Sequence, residues 1–377
     1  MKVLVIGAVF DPSWKGGEPI LARNVVNGLR LLGNEVTVIY RKRKYSSIWP
    51  SSVDPRILNF YFSMIKKIKP DITLVFYDYD VTALYASKKA GIPCVVAVHI
   101  YWPFCPYLSL YLENKGICEG LSFKRCLMHI SGKDILRKTI SPFYTGLSYL
   151  KKKTCLRMLK TADAIIVPSE YVKSVFLKYK FNNVYVVYTG ININEIQYHK
   201  KWSKTEECKV ILNTTGYTTK SKGFHHFVIL ARYITKLRKN VRFVATGFCG
   251  RVDAVEGLGY LSRREYIKLV SRAYLAVTPL LWADPCPQAV LLPMAVGTPV
   301  IAYSSGGVPE ILKDGGILIR RGDIRNLIRC TLRLIDDEQL TSELGKKARH
   351  IIENNFTIDH TIRGYYEVLK KALNRCL

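Results

Sequence analysis

Short apolar runs rich in β-branched residues recur along the chain. They alternate with segments whose apolar residues return every three or four positions. Val3–Ile6, Glu35–Tyr40, Ile72–Phe76 and Cys94–Val98 are runs of the first kind, and Ile20–Leu32, closed by Gly33, is of the second. This alternation predicts βαβ units around a parallel sheet. The pattern restarts at Ala164–Pro168, Val184–Val187, Val210–Leu212, Arg242–Thr246, Leu275–Thr278, Pro299–Ala302 and Ile317–Ile319. So many strands exceed one open sheet, and the polar, basic, turn-rich stretch Tyr188–Lys204 reads as a linker. The expected organisation is α/β, with doubly wound domains at 1–190 and 191–355 and a C-terminal helix at 356–377. Ser262 with Glu265 reads as a capping box. Ser141-Pro142 reads as an N-cap followed by proline at the first helical position. Ligands of doubly wound sheets bind outside the carboxyl ends of the strands, so two such sheets facing each other would frame a cleft.

Composition narrows the class. With 377 residues, 49% apolar and 23% charged, the chain can bury a large core, and bulk disorder is excluded. Ten cysteines are too few for a disulfide scaffold of this length. The net charge of +28 is the outlier and argues for an anionic partner. The excess is not a tail, because residues 1–190 carry 28 basic and 12 acidic side chains, and the rest is basic too. The uncharged stretches 90–112 and 285–309 are broken by prolines and read as core and loop, not as membrane spans. MKVLVIGAVF reads as a first buried strand and not as a leader. The expected compartment is the cytoplasm, with reduced thiols.

Several residues carry candidate chemistry. Gly16-Gly17 follows the first strand and precedes a helix, where bare amides can approach an anion; many such turns use glycine for shape only. The dinucleotide GxGxxG fingerprint, a Walker P-loop and a GxSxG elbow are all missing. His99 closes the apolar strand CVVAVH; the position points a side chain toward a ligand, but on this residue alone a hydrogen-bonded structural histidine is the favoured reading. Asp284, in LLWADPCPQAV, is the sole formal charge between Arg272 and Glu310. A carboxylate in such surroundings needs a partner or its pKa rises. It reads as an N-cap for helix 287–296, as a ligand contact, or as both. The amides of Gln288, Ala289 and Val290 would then open an anion-binding helix start. Lys222-Gly223 opens another helix, where a lysine meets either a phosphate or solvent.

Taken together, these pieces resemble the retaining glycosyltransferases of family four, which have the GT-B fold. Gly16-Gly17-Glu18 with LARNVVNGLRLLGNEVTVI is similar to the family's glycine loop, first helix and second strand. HIYWPFCPY with ICEG, TADAIIVPSEYVKSVF, SKGFHHFVILARYI, DPCPQAVLLPMAVGTPVIAYSSGGVPEIL and NFTIDHTIRGYYEVLKKAL follow in family order. The resemblance implies two Rossmann-like domains facing across a cleft, with a C-terminal helix crossing back. It implies sugar transfer from an activated, usually nucleotide-diphosphate, donor with retention of configuration. His99 would touch the transferred sugar, and Asp284 would hold its hydroxyls in place of the first glutamate of an E-x7-E pair. Lys222 would neutralise the leaving diphosphate. Gly16, Gly17, Tyr217, Pro287, Gln288, Ala289, Val290 and Glu310 would complete the donor site, with no metal and no further cofactor. The chain departs from the family at three points. Leu292 stands where the second glutamate falls, Tyr217 where an arginine usually pairs with the lysine, and Ile100 where an acidic residue follows the histidine. These departures keep a binding-only protein as an alternative.

Cys105, Cys118, Cys126 and His129 end in C-x-x-H and could hold a structural zinc ion, or they could be reduced, buried thiols. Basic and aromatic residues mix in 41–49, 61–69 and 141–153. In the last, Phe143, Leu147 and Leu150 precede three lysines at i, i+4 and i+7. Such a helix lies on an anionic membrane or packs its stripe inward with solvated lysines. The expected partners are a nucleotide-sugar donor, a glycan or lipid-linked acceptor, and an anionic membrane at its inner face. Nucleic acid suits the charge, but no nucleic-acid module is recognised.

Overall fold

A computed structural model describes residues 1–7, 10, 17–40, 53–76, 81–105, 108–112, 116–130, 135–196, 208–216 and 220–375. The chain separates into two compact units. One comprises Met1–Leu112, Cys118–Tyr188 and Thr361–Leu377, and the other comprises Glu113–Ile117 and Thr189–His360.

The first unit contains strands β1 (Lys2–Ile6), β2 (Glu35–Ile39), β3 (Ile72–Phe76) and β4 (Cys94–Ala97). Two short strands follow, β5 (Tyr111–Leu112) and β6 (Gly116–Ile117), the latter grouped with the second unit, and then β7 (Ala164–Val167) and β8 (Val184–Val186). Its helices are α1 (Gly17–Leu31), α2 (Pro55–Ile68), α3 (Thr82–Lys89), α4 (Phe123–Ile130), α5 (Ile135–Leu159) and α6 (Glu170–Lys178). The sheet order is β2-β1-β3-β4-β7-β8, parallel throughout. Val3 pairs with Val36 on one side and Ile72 on the other. Parallel strands covered on both faces are apolar throughout, and Val3, Leu4, Val5 and Ile6 are fully buried. Their sequence signature was therefore a continuous run.

The second unit contains β9 (Lys209–Asn213), β10 (Val241–Ala245), β11 (Cys249–Val252), β12 (Val255–Leu258), β13 (Leu275–Thr278), β14 (Val300–Ser304) and β15 (Gly316–Arg320). Around them lie α7 (Phe224–Leu237), α8 (Arg263–Arg272), α9 (Gln288–Ala295), α10 (Val308–Leu312), α11 (Ile324–Asp336) and α12 (Glu338–Asn355). The order is β11-β12-β10-β9-β13-β14-β15, with only the β11–β12 edge pair antiparallel. Its core joins Phe227, Leu230 and Ile234 of α7 to Phe243, Leu275, Val277 and Ile301 on the strands. The last helix, α13 (Ile358–Asn374), carries Tyr365 and Leu369, both fully buried. Thr361 of that helix donates to the Tyr188 carbonyl at 2.8 Å within the first unit.

Each sheet has a point where the winding reverses. In the first unit β1 lies between β2 and β3, and in the second β9 lies between β10 and β13. Loops leaving the carboxyl ends of the strands beside that point frame the ligand site of a doubly wound fold.

Two local expectations are revised. The Ser262–Glu265 capping box forms as read, but Ser141-Pro142 does not start a helix, because α5 runs unbroken from Ile135. A proline removes one rung of the helical ladder without forbidding helix on both sides. The β11–β12 hairpin was not anticipated. β11 is largely exposed and β12 half-buried, they carry Gly250 and Gly257, and the αL residue Asp253 turns between them, so neither shows an apolar run.

Candidate functional site

Lys222 and Asp284 lie in the loops that follow β9 and β13, the two strands flanking the second unit's reversal point. The turn after β9 is built by side chains. Asn213 Oδ1 accepts from the Thr215 amide at 3.2 Å. The Thr215 hydroxyl lies 2.8 Å from that same oxygen and 3.0 Å from the Lys222 carbonyl, two acceptors for one proton. Lys222 closes a 3-10 turn, Lys220–Lys222, and Gly223 follows with φ +73°. A Cβ at Gly223 would run into the Pro279 carbonyl, so only glycine fits there.

The loop after β13 is tied to that turn. Ser221 O accepts from the amides of Leu281 at 2.9 Å and Trp282 at 3.2 Å. The Ser305 hydroxyl donates to Trp282 O at 2.6 Å, and the Gly307 amide donates to Asp284 O at 2.9 Å. Asp284 Oδ1 accepts from the Cys286 amide at 3.2 Å. This is a local two-residue turn, not a helix cap. The N-cap of α9 is Pro287, which supplies no side-chain bond, so the capping reading of Asp284 is corrected.

Asp284 is only partly exposed and closely surrounded by protein. Desolvation pushes its carboxyl up to about 6, against the pull of the Cys286 amide and the positive charge of Lys222. The Lys222 charge therefore reaches the Asp284 carboxyl across the loops. Cys286 is a partly exposed thiol whose close surroundings push it up to about 12, chiefly by desolvation, with the charges of Asp284 and Glu310 adding to the shift. Glu310 stands in the first turn of α10.

Gln288 opens α9 and is exposed; Ala289 is partly exposed and Val290 buried. The first amides of a helix have no partner one turn earlier. The Val290 amide, however, donates to Pro287 O at 3.0 Å. It is not available to an anion, and this corrects its expected role. Gln288 and Ala289 are the amides this helix start offers. Leu292 is buried, 7% exposed, in the interior of α9. A residue that sequence reasoning missed is Trp282. Its indole N–H is buried and has no hydrogen-bond acceptor among the described residues, an arrangement that costs about 1–3 kcal/mol unless a ligand supplies the acceptor.

In the first unit Gly17 opens α1, whereas Gly16, and Tyr217 in the second unit, lie outside the described residues. His99 follows β4 and is 6% exposed. Its ring stacks on Phe76 at 5.8 Å and 7°, and on Tyr365 at 6.4 Å and 10°. Its Nε2 sits 2.9 Å from the Tyr365 hydroxyl. Burial pulls its pKa down to about 3, so the imidazole is neutral at pH 7. His99 is thus held inside an aromatic stack, and Tyr365 is a neighbour that no local pattern announced.

Cys105, Cys118 and Cys126 are free thiols. Burial is the main reason that the Cys126 pKa is raised, and Cys105 and Cys118 are near enough to add to it. The His129 side chain lies outside the described residues. Among the described residues no group of three His, Cys, Asp or Glu side chains is placed to hold a metal ion. Among them, too, no helix is long and apolar enough to cross a membrane.

Comparison with known proteins agrees with this architecture. Residues 15–195 match the family described as Glycosyltransferase Family 4, and residues 194–351 match Glycosyl transferases group 1. The chain is 21% identical to N-acetyl-alpha-D-glucosaminyl L-malate synthase of Bacillus anthracis, over 98% of this chain and 99% of that one. It is 23% identical to an uncharacterized glycosyltransferase of Methanocaldococcus jannaschii, over 67% of this chain and 69% of that one. Among solved structures it resembles sucrose-phosphate synthase from Thermosynechococcus elongatus, with TM-score 0.68, 14% identity and all of both chains covered. It also resembles Anabaena HepE in complex with UDP-glucose, with TM-score 0.66, 15% identity, and 98% and 100% covered. The chain belongs to the GT-B glycosyltransferases, its first part being of the family-four type and its second of the group 1 type.

Proposed function

We propose that this glycosyltransferase moves a sugar from a nucleotide-diphosphate donor to a glycan or lipid-linked acceptor with retention of anomeric configuration. The observation that carries the reading is the placement of Lys222 and Asp284 in the loops at the carboxyl ends of β9 and β13, loops laced together through the Ser221 carbonyl and near enough for the Lys222 charge to act on the Asp284 carboxyl. A fixed cation and the free amides of a helix start favour a departing diphosphate. Here Lys222 and the Gln288 and Ala289 amides take that part. Asp284, ionised above about pH 6, accepts hydrogen bonds from sugar hydroxyls. The buried Trp282 N–H is a further donor for a phosphate or sugar oxygen. HepE in complex with UDP-glucose supports a nucleotide-sugar donor. TarM with fondaparinux, alpha-GlcNAc-glycerol and UDP supports a glycan acceptor. Activity at the cytoplasmic membrane face, without a metal, completes the reading.

A second reading is a binding-only protein, which the buried Leu292 favours because an alkyl side chain cannot hold ribose hydroxyls. Incubation with a panel of sugar nucleotides separates the two. Release of a nucleoside diphosphate, with proton NMR showing the product anomer to match the donor's, supports retaining transfer. Inversion refutes the retaining mechanism. Absence of turnover and of donor hydrolysis with every nucleotide favours the binding-only reading.

A further inference from the structure

The outward positions of α5 read Phe143, Leu147, Leu150, Lys153, Arg157 and Lys160, spaced four, three, three, four and three residues apart along one helical face, and all are exposed. Thr145, Cys155, Leu156 and Leu159 form the buried face of the same helix. A surface helix ordinarily buries its large apolar residues. Here Phe143 is 73% exposed, Leu150 56% and Leu147 36%. Phe123 of α4, 43% exposed, extends the patch. Its ring lies 6.2 Å from that of Tyr149, edge to face, and a Cβ on Gly146 would just touch it at 3.9 Å. Single exposed apolar residues are normal, but a contiguous set marks an interaction surface.

The charge along this stretch of the sequence is one-sided: residues 120–162 contain ten Lys and Arg and a single acidic residue, Asp134. Arg125 is paired with Glu119. Among the described residues Lys153, Arg157 and Lys160 make no ion pair; Lys160 lies over the Phe181 ring at 5.6 Å.

We propose that the outer face of α5, with Phe123, docks on an anionic lipid bilayer. Phe143, Leu147, Leu150 and Phe123 enter the headgroup boundary, and Lys153, Arg157 and Lys160 meet lipid phosphates. The proposal extends the membrane part of the reading above and is independent of the donor chemistry. A second copy of the chain fits poorly, because it would bring two strongly basic faces together. Nucleic acid fits poorly as well, because leucines neither stack on bases nor pair with phosphates.

The test is co-sedimentation with vesicles, with no donor present. Vesicles of phosphatidylcholine alone are compared with vesicles containing one part in four phosphatidylglycerol, at about 0.05 M and about 0.5 M salt. The expected result is binding to the anionic vesicles, weakened by salt, and at least about tenfold weaker binding to the neutral ones. A Phe143→Ser, Leu147→Ser, Leu150→Ser variant, and separately Lys153→Gln, Arg157→Gln, Lys160→Gln, should each bind about tenfold less. Both should stay folded with an unfolding midpoint close to the wild type's, the small losses coming from Leu147, 36% exposed, and from Lys160 over the Phe181 ring. Three results overturn the proposal: no binding to anionic vesicles, undiminished binding by the apolar variant, or a wild-type dimer on size exclusion that the apolar variant dissociates. None of these bears on nucleoside diphosphate release, so sugar transfer stands or falls separately.

Discussion

His99 Nε2 and the Tyr365 hydroxyl share a 2.9 Å hydrogen bond between residues 266 positions apart in the chain. Phe76 stacks on both rings, at 5.8 Å from His99 and 5.2 Å from Tyr365. The last helix thereby fixes a residue at the carboxyl end of β4. Tyr365→Phe keeps the ring and removes the hydroxyl. The expected cost is about 1–2 kcal/mol of stability, since a buried imidazole nitrogen loses its partner. Urea unfolding at pH 7 measures it, and an unchanged midpoint would show that the bond contributes nothing.

Burial gives His99 a proton-linked signature. Its pKa falls from 6.5 to about 3 on folding. Between those values the unfolded chain binds the proton and the native one does not. The contribution is therefore fully present above pH 6.5 and is lost as pH falls toward 3, by about 1.4 kcal/mol per unit within that window. His226, lowered to about 4, acts in the same sense, while Asp284, raised to about 6, opposes it. Comparing wild type with His99→Asn at pH 7 and pH 5 isolates the one residue. The wild type should lose more stability over that interval than the variant, and parallel losses would refute the assignment.

Asp284 predicts a different pH dependence, in activity. Its carboxylate is the form that accepts hydroxyl hydrogen bonds, and its pKa is about 6. The kcat/KM of the wild type should fall as pH drops through about 6. Asp284→Asn should be about 100-fold slower at pH 8 and should lack that limb. A limb retained in the asparagine variant would move the titration to another group.

Gly306 packs closely against the Asp284 backbone. Its φ is +57°, and a Cβ there would strike the Asp284 carbonyl and the Ala283–Asp284 peptide. Gly306→Ala should cost more than about 1 kcal/mol of stability and weaken donor binding by shifting the Asp284 loop. Calorimetric titration with UDP alongside thermal unfolding checks both effects. Wild-type values in both would show that the loop is not seated on this glycine.

The parallel core was legible because buried strands such as Ile72–Phe76 and Cys94–Ala97 are unbroken apolar runs. The edge hairpin β11–β12 escaped because β11 is exposed, both strands carry a glycine, and the pairing is set by the neighbours, not by a pattern of its own. Lys222 and Asp284 could be singled out from their loops. Their tie through the Ser221 carbonyl could not, since backbone acceptors leave no trace in side-chain spacing. The Val290 amide was expected to be open and is taken by Pro287 O, because the first turn of α9 tightens there. Tyr365 lies so far from His99 in sequence that only the folded chain shows them together. On α5 the stripe Phe143–Leu147–Leu150 allowed an inward or an outward face. The burial of Thr145 and Leu156 decides for the outward one.

Lys222 and Asp284 are proposed to build one nucleotide-diphosphate site. The most direct test is the thermal unfolding midpoint of the wild type, Lys222→Ala and Asp284→Ala against UDP, GDP, ADP and their sugar conjugates. A ligand that binds only the native state raises the midpoint by mass action, equivalent to about 2.7 kcal/mol at a hundred times its Kd. The expected result is a rise for the wild type with one nucleotide family, lost in Lys222→Ala for diphosphate and conjugate alike. In Asp284→Ala the extra rise that the sugar brings over the bare diphosphate should be lost. Equal shifts in all three proteins, or none in the wild type with any nucleotide, would contradict it.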